Sequence, residues 1–480
     1  MSMNTNIRRL GIFFLVAFAI MVTDVTYWQV IDASRLAARP DNPRLRLQAS
    51  KVQRGLIVDR NGTVLADRRI AADGTVSRVY NDPSLSQVIG YDSPRYGKSE
   101  LESTYDAYLM GQKVGTSWKN QIDQWEHKQV VGDNLTLTID DRLQQQVANV
   151  LPDSPSAAIV ADPRNGDILA MASKPGFDAN QINDPSYWSA LLQNPDAPLI
   201  NRAVNGYYPP GSTFKLVTMS AALDSGIMSL TTPFYGIDAT GPLTVDFHTF
   251  PASINNLPAG VGAVDLTHAL MYSDNIAFAK VGLALGSSRF RDYVHRYGVD
   301  ETPPFDIPVS QSRLLTSGET FSDLELASSA FGQGGLHVTP LQMLMIAEAQ
   351  ANGGSVPRPV LVKQVTGPDG SVVKSANYGS LYQPISSGTA SEMRDAMVQV
   401  VEGGSGFNAK IPGVQVAAKT GTAETGGEQQ PHAWFVCFAP ADHPRLAVAV
   451  IVEHGGEGAF VAAPLARQIL QAALSLSSGS

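Results

Sequence analysis

Two prolines and a glycine lead directly into a helical pattern at residues 206–223, which read GYYPPGSTFKLVTMSAAL. Proline has a fixed φ that suits the start of a helix, and apolar residues follow at the 3.6-residue helical period. The pattern therefore predicts a helix that begins at about Ser212 and buries one face. Because residues three apart share a helix face, the Lys215 amine is expected within reach of the Ser212 hydroxyl.

Ser212 and Lys215 suit the roles of a nucleophile and its base. A serine hydroxyl attacks a carbonyl only when a base takes its proton, and a desolvated, neutral lysine can do so. The start of a helix also favours nearby negative charge. The pair alone is a weak signal, because a helix cap beside a solvated lysine has the same spacing.

A second S-x-x-K at residues 371–374 follows the turn GPDG and is interpreted as one arm of a hairpin.

A second motif, Ser-Asp-Asn at residues 273–275, lies between two helical patterns, VDLTHALMY and IAFAKVGLALG. It is expected to form a short connection between packed helices. In such a connection the Ser273 hydroxyl can relay a proton and the Asn275 amide can orient a bound amide.

A third motif, Lys-Thr-Gly at residues 419–421, occurs once and lies in a strand pattern. Gly421 lacks a side chain where another backbone can approach, and Lys419 with the hydroxyls of Thr420 and Thr422 can hold a carboxylate. Strict strand alternation puts Lys419 and Gly421 on one face and both threonines on the other. The sequence leaves open how both faces reach one pocket.

In this order and at these wide separations, the three motifs resemble the set found in penicillin-binding proteins and serine β-lactamases. The similarity extends to longer stretches of the transpeptidase domain of class B penicillin-binding proteins: AAIVADPRNGDILAMASKPGFDAN, NRAVNGYYPPGSTFK, FGQGGLHVTPLQML and KTGTAETGG. The stretch RGLIVDRNGTVLAD resembles the start of the non-catalytic N-terminal domain of that family. The resemblance covers essentially the whole chain and, within the family, points to the short penicillin-binding protein A type of actinobacteria.

This resemblance implies an α/β (α+β) fold. A serine β-lactamase/transpeptidase-like domain, with an antiparallel sheet flanked by helices, is expected after a smaller mixed N-terminal domain and one transmembrane helix. The expected boundaries are 1–35 for a cytoplasmic tip and transmembrane anchor, 36–140 for a pedestal- or dimerisation-like domain, and 141–480 for the transpeptidase domain. Within these domains, Asn61-Gly62 and Asn165-Gly166 predict hairpin turns between apolar runs.

The resemblance also implies a peptidoglycan D,D-transpeptidase that forms a serine acyl-enzyme and is inhibited by β-lactams. Ser212 would attack the penultimate D-Ala carbonyl of a stem peptide while Lys215 takes its proton. Ser273, together with Asn275 and Lys419, would pass a proton to the departing amine.

The remaining site residues are expected to bind and polarise the substrate. As in the family, Thr420 and Thr422 would bind its terminal carboxylate, and the strand that carries Gly421 would pair with it. The backbone N–H groups of Ser212 and Thr422 would form the oxyanion hole.

Other functions of the same fold stay open at this stage. A D,D-carboxypeptidase shares the chemistry and differs in the acceptor. A class A β-lactamase would carry a glutamate in an E-x-x-L-N-like stretch after Asn275, and none is found. From another class, a β-lactam sensor would need a cytoplasmic signalling domain, whereas an inert cell-wall scaffold would need no Ser212 hydroxyl.

Composition limits the partners. A formal net charge of −9 gives no basic stripe for nucleic acid. A single cysteine and no cluster at metal-ligand spacing support neither a metal nor another cofactor. The partners that the resemblance implies are peptidoglycan stem peptides ending in D-Ala-D-Ala, β-lactams, a membrane glycosyltransferase, and other cell-wall or division proteins.

The N-terminus is typical of a membrane segment. Residues 10–22 read LGIFFLVAFAIMV, and the apolar character continues unevenly to Ile31, interrupted by Asp24. An uncleaved anchor is favoured over a cleaved signal peptide because no clear A-x-A site follows. Arg8 and Arg9 would keep the N-terminus cytoplasmic, so the domains after about residue 35 are expected outside the cytoplasm.

Overall fold

The structure is a computed structural model that describes residues 3–32, 52–72, 74–112, 130–232, 242–250, 264–314 and 321–478. The strands are β1 (Ile57–Val58), β2 (Val64–Ile70), β3 (Val76–Tyr80), β4 (Asp92–Ser93), β5 (Gly97–Lys98), β6 (Asn134–Leu137), β7 (Ser156–Asp162), β8 (Asp167–Lys174), β9 (Leu243–Val245), β10 (His248–Phe250), β11 (Arg313–Leu314), β12 (Leu336–His337), β13 (Val356–Pro357), β14 (Val362–Thr366), β15 (Val372–Ser375), β16 (Ser380–Tyr382), β17 (Ala417–Ala423), β18 (His432–Ala439) and β19 (Leu446–Val452).

The helices are α1 (Met3–Thr26), α2 (Ser86–Ile89), α3 (Glu100–Thr104), α4 (Asp106–Leu109), α5 (Asp141–Val150), α6 (Pro185–Gln193), α7 (Arg202–Asn205), α8 (Lys215–Asp224), α9 (Leu266–Met271), α10 (Asn275–Leu285), α11 (Ser287–Arg296), α12 (Asp323–Ala330), α13 (Pro340–Ala351), α14 (Ser387–Glu402) and α15 (Ala462–Ser478).

The N-terminal helix α1 continues as a single π-helical turn, Tyr27–Ile31. Residues 6–29 are long and apolar enough to cross a membrane, and none of this stretch is buried inside the protein. Large apolar side chains such as Phe13 and Leu15 are exposed along it. An apolar helix that is unburied by the described residues of its own chain needs an apolar surrounding, which suits a single-pass membrane anchor.

The larger part of the chain is built on an antiparallel five-stranded sheet in the order β17-β18-β19-β7-β8. Helix α13 packs on one face, and helices α15 and α5 pack on the other. Alternate residues of β19 join two separate apolar cores: Ala449 and Ile451 face one core, and Val448 and Val450 face the other. The predicted antiparallel sheet flanked by helices is therefore confirmed.

The N-terminal sheet has six strands in the order β15-β14-β6-β1-β2-β3 and contains one parallel pair, β1 with β6. Its strands β14 and β15 come from residues 362–375, more than two hundred positions after the rest of the sheet. The predicted hairpin arm at residues 371–374 is confirmed, because β15 pairs antiparallel with β14. The boundary at residue 140 stays a prediction, but this hairpin joins the N-terminal sheet from beyond it.

A buried threonine ties the two sheets together at the end of β6. The Thr138 hydroxyl lies 2.8 Å from the Ile168 carbonyl oxygen of β8 and 2.8 Å from the Val360 carbonyl oxygen before β14. The Thr138 amide also donates to the Leu361 carbonyl at 2.9 Å. The junction is thus made of directional hydrogen bonds that set how the sheets meet.

An ion-pair network lies inside the N-terminal domain. Glu102 is fully buried, and its two carboxylate oxygens accept from Arg54 Nε at 2.5 Å and Arg78 Nε at 2.6 Å. Burial alone would raise the pKa of Glu102, but the Arg78 and Arg54 guanidiniums outweigh it and hold the pKa below its usual value. Both guanidiniums are themselves nearly inaccessible to solvent. Glu102 is the carboxylate that they share, and Arg54 also pairs with Asp106 at 2.5 Å.

Substitution of Glu102 by alanine should destabilise the N-terminal domain by about 3–5 kcal/mol, because the buried Arg78 guanidinium would lose the carboxylate that it contacts and Arg54 would lose one of its acidic partners. Asp292→Ala is a matched control: it breaks an exposed i,i+4 pair with Arg296 and should cost no more than about 0.5 kcal/mol. Urea unfolding of both variants measures the difference. Equal losses in the two variants would contradict the structural role of the buried network.

Candidate active site

Ser212 lies in a 3₁₀ turn, Gly211–Phe214, that runs directly into α8. The sequence predicted this serine within the first turn of the α-helix, so the position is slightly different. The chain makes a sharp corner just before it: Gly211 has a φ of +54°, and its amide donates to the Gly332 carbonyl at 2.9 Å. The half-buried Ser212 side chain therefore stands at the open end of the helix.

Gly421 lets strand β17 pack closely on the turn that carries Ser212. A Cβ atom at Gly421 would lie 2.8 Å from Thr213 Cγ2 and 3.1 Å from the Pro210 carbonyl oxygen. No ordinary side chain fits at these distances without moving the strand. The segment that approaches Gly421 is the nucleophile turn itself, and the substrate-binding role of Gly421 stays a prediction.

Trp434 holds the same corner from the next strand. It is fully buried on β18, opposite Gly421 in the β17–β18 register, and its indole N–H donates to the Pro209 carbonyl at 3.0 Å. Sequence reasoning missed this contact. The position of Trp434 in an apolar strand run indicates burial but not which carbonyl it reaches.

The Ser-Asp-Asn motif forms the predicted short connection, between α9 and α10. The Asp274 carboxylate caps α10 by accepting from the Ala277 amide at 3.0 Å, and Ser273 adopts a φ of +62°. A non-glycine residue with positive φ is uncommon, so this turn is conformationally demanding. The result is that the Ser273 and Asn275 side chains both reach the Lys215 amine.

Four oxygen atoms surround the Lys215 amine. Its Nζ lies 2.9 Å from Ser212 Oγ, 2.6 Å from Asn275 Oδ1, 3.2 Å from Ser273 Oγ and 2.7 Å from the Ser273 carbonyl oxygen. Lys215 is fully buried. Burial lowers its pKa to about 7, against the opposing effect of the Asp274 carboxylate. Near neutral pH a large share of this amine is therefore uncharged and able to accept a proton.

A second buried amine approaches Ser273 from the opposite side. Lys419 Nζ lies 2.8 Å from Ser273 Oγ and 3.0 Å from the Thr420 carbonyl oxygen. Burial, and next the positive charge of Lys215, hold the pKa of Lys419 well below its usual value. The Ser273 hydroxyl thus sits between two lysine amines and connects them.

The two predicted carboxylate-binding threonines lie on the other face of β17. Thr420 Oγ1 is 3.3 Å from Lys419 Nζ and 2.8 Å from the hydroxyl oxygen of Ser405, a residue that sequence reasoning missed. Thr422 Oγ1 accepts from the Gly458 amide at 3.4 Å. Nothing in the sequence near Ser405 indicated a site, because it lies in a loop before β17.

Strand β17 lies at an edge of its sheet. Within the described residues, β17 pairs with a strand on one side, β18. Its opposite side is a free edge, where half of the main-chain N–H and C=O groups have no strand partner. The Lys419 amine reaches around to the Thr420 hydroxyl at this edge, so groups from both faces meet there.

Comparison with known proteins identifies the family. The penicillin-binding protein transpeptidase domain matches residues 156–471, and the penicillin-binding protein A dimerisation domain matches residues 54–135. The chain is a penicillin-binding protein. The transpeptidase match contains the whole five-stranded sheet and also the β14–β15 hairpin of the other sheet, and the dimerisation match contains strands β1, β2 and β3 of that other sheet.

The relatives match over nearly the full chain. The peptidoglycan D,D-transpeptidase PbpA of Mycolicibacterium smegmatis is 34% identical, with 98% of this chain and 99% of that protein covered. Its counterpart in Mycobacterium tuberculosis is 33% identical over the same shares. The ceftriaxone acyl-enzyme structure of penicillin-binding protein A from M. tuberculosis has a TM-score of 0.82 at 32% identity, covering 89% of this chain and 100% of that one.

The stability of this penicillin-binding protein should depend on pH through Lys215. The unfolded chain keeps the Lys215 proton up to its ordinary pKa of 10.5, whereas the folded chain releases it above about 7. Between these values the unfolded state binds more protons than the folded state. The contribution of Lys215 to the free energy of unfolding therefore decreases as pH drops from 10 to 7. Below 7 it changes no further.

Lys215→Met removes this titration and should gain stability relative to the parent protein as pH falls from 10 to 7. Urea unfolding at several pH values in that range measures the gap, which is the difference in free energy of unfolding between the variant and the parent protein. A gap that stays constant would mean that Lys215 keeps an ordinary pKa in the folded state.

Proposed function

We propose that the chain is a peptidoglycan D,D-transpeptidase that cross-links stem peptides through an acyl-enzyme on Ser212. The observation that carries this proposal is the 2.9 Å approach of a buried, partly neutral lysine amine to the Ser212 hydroxyl. The family membership and the PbpA relatives support the same reaction.

In the first step Lys215 accepts the Ser212 proton while Oγ attacks the penultimate D-Ala carbonyl carbon. A tetrahedral intermediate forms, and its negative oxygen is held by the backbone N–H groups of Ser212 and Thr422. Loss of one such donor typically raises the activation free energy by about 3 kcal/mol in acyl-transfer enzymes. The position of Ser212 at the open end of α8 supports this role, because the helix start favours negative charge.

In the second step the C–N bond breaks and D-Ala leaves. The proton on Lys215 passes through the Ser273 hydroxyl to the departing amine, and Lys419 stabilises Ser273 during the transfer. The distances of 3.2 Å and 2.8 Å from Ser273 Oγ to the two amines support this relay. Asn275, whose Oδ1 lies 2.6 Å from Lys215 Nζ, orients the substrate amide.

The substrate is held along the free edge of β17. Its backbone pairs with the strand at Gly421, and its terminal carboxylate meets the hydroxyls of Thr420 and Thr422 beside the Lys419 amine. The edge position of β17 supports this mode, which adds a peptide as an extra strand. The amine of a second stem peptide then attacks the acyl carbon, and the ester bond to Ser212 Oγ breaks. The proton of that amine passes through Lys215 to Ser212 Oγ, which completes the cross-link and restores the free serine.

Two other outcomes have water as the acceptor. If water attacks the peptidyl acyl-enzyme, the chain is a D,D-carboxypeptidase; if water rapidly attacks the penicilloyl-enzyme, it is a β-lactamase. Product analysis separates these outcomes: a transpeptidase yields cross-linked peptides, a carboxypeptidase yields shortened ones, and a β-lactamase loses its adduct rapidly. The relatives' names favour the transpeptidase.

The proposed setting is the outer side of the cell membrane. Helix α1 anchors the chain, and Arg8 and Arg9 before its apolar stretch favour a cytoplasmic N-terminus. Because the proposed reaction joins peptides on glycan strands, a membrane glycosyltransferase and other cell-wall or division proteins are the partners that this role requires. Co-purification from crosslinked membranes tests that part of the proposal.

Incubation with penicillin G should give one covalent adduct, which intact mass and peptide mapping place on Ser212. Ser212→Ala should abolish the adduct because the attacking oxygen is gone. Ser371→Ala changes the exposed second S-x-x-K copy and should acylate like the parent protein. An adduct on another residue, or cell-wall function retained by Ser212→Ala, would overturn the catalytic role of Ser212.

The acylation rate should rise by about tenfold per pH unit up to an apparent pKa near 7 and then level off, because the neutral amine of Lys215 is the base. Stopped-flow or quenched mass measurement of penicillin G acylation between pH 5 and 9 gives the profile. A rate that does not change across this range would exclude Lys215 as the titrating base.

A further inference from the structure

Ser405 lies where the loop after α14 meets strand β17, and no motif includes it. The loop packs directly on the segment before the Ser-Asp-Asn motif: the Ser405 amide donates to the Met271 carbonyl at 2.9 Å. A Cβ at the neighbouring Gly404 would lie 2.5 Å from the same carbonyl oxygen. The half-buried Ser405 side chain is therefore held between the Ser-Asp-Asn turn and β17.

The Ser405 hydroxyl ends a continuous chain of polar groups that starts at the nucleophile. The chain runs from Ser212 through Lys215, Ser273, Lys419 and Thr420 to Ser405. Its last link joins Thr420 Oγ1 and Ser405 Oγ at 2.8 Å, and either hydroxyl can be the donor. The direction of that bond decides where the Thr420 proton points.

A bound carboxylate fixes this direction. The Thr420 hydroxyl has one proton and two lone pairs, and a carboxylate only accepts. To bind the carboxylate, Thr420 must donate its proton outward and accept from both protein neighbours. Lys419 carries N–H donors whether it is charged or neutral, so Ser405 must supply the other donor.

We propose that Ser405 is a positioning residue that orients the Thr420 hydroxyl toward the carboxylate of the bound donor peptide or β-lactam. This inference rests on the proposed function. Ser405 donates to Thr420, both lone pairs of Thr420 are engaged, and its proton is left for the ligand. Without Ser405 the Thr420 proton is free to rotate away from the carboxylate.

The test uses the full-length protein in detergent and penicillin G at a range of concentrations. Ser405→Ala should weaken the non-covalent binding constant by about tenfold, as for a lost hydrogen bond that serves a charged group. The first-order acylation step should change by less than about twofold, because Ser212 and Lys215 are untouched. Ser405→Thr keeps the hydroxyl and should restore binding.

Two comparisons separate orientation from general damage to the fold. Penicillin G methyl ester lacks the carboxylate, so its adduct formation, read by intact mass over hours, should be the same in the parent protein and in Ser405→Ala. In a Thr420→Val background, Ser405→Ala should cause no further loss, because it acts through Thr420. Ser475→Ala is the matched control, because it removes an exposed hydroxyl on α15 that donates to the Ala472 carbonyl.

The outcomes distinguish this inference from the function on which it rests. Parent protein that forms no Ser212 adduct with penicillin G would overturn the proposed function. If the parent protein acylates normally, three results would overturn the role of Ser405 alone. These are an unchanged binding constant in Ser405→Ala, an equal loss of adduct formation with the methyl ester, and a further loss of binding when Ser405→Ala is added to Thr420→Val.

Discussion

Two buried lysine amines that meet at one serine hydroxyl are the constraint on which the site depends. Lys215 and Lys419 are both fully buried, and a buried ammonium without compensation costs enough that it loses its proton. Each amine is tolerated because oxygen atoms of Ser273 and neighbouring residues surround it. The same burial that makes Lys215 a base at neutral pH therefore requires the Ser-Asp-Asn turn and the edge strand to be in place.

The fold meets that requirement by bringing segments from distant parts of the chain into close backbone contact. Gly421 allows the nucleophile turn to lie directly on β17, and Trp434 fastens the turn to the sheet through the Pro209 carbonyl. Ser405 extends the same polar chain beyond Thr420 of β17. The position of the nucleophile is thus set by the central sheet as much as by its own helix.

The N-terminal sheet is joined to the catalytic part by shared strands. The hairpin of β14 and β15 extends it through main-chain pairing with β6, and Thr138 bonds carbonyls on both sides of the junction. Hydrogen-bonded strands resist rotation more than a side-chain contact would. The catalytic domain is therefore held in a defined orientation relative to the domain that follows the membrane helix.

Local features could be predicted from the sequence because local chemistry decides them. The Asn-Gly pairs at 61–62 and 165–166 form the predicted turns, with Gly62 and Gly166 at positive φ, and apolar periodicity located the helix that starts at Lys215. The motif spacing identified the family. Other contacts join residues far apart in the chain. Ser405 bonds Met271, Trp434 bonds Pro209, and the β14–β15 hairpin adds to the edge of the N-terminal sheet. Only the tertiary structure decides these, because a hydrogen bond across such separations depends on how whole elements pack and leaves no periodic signal in the sequence.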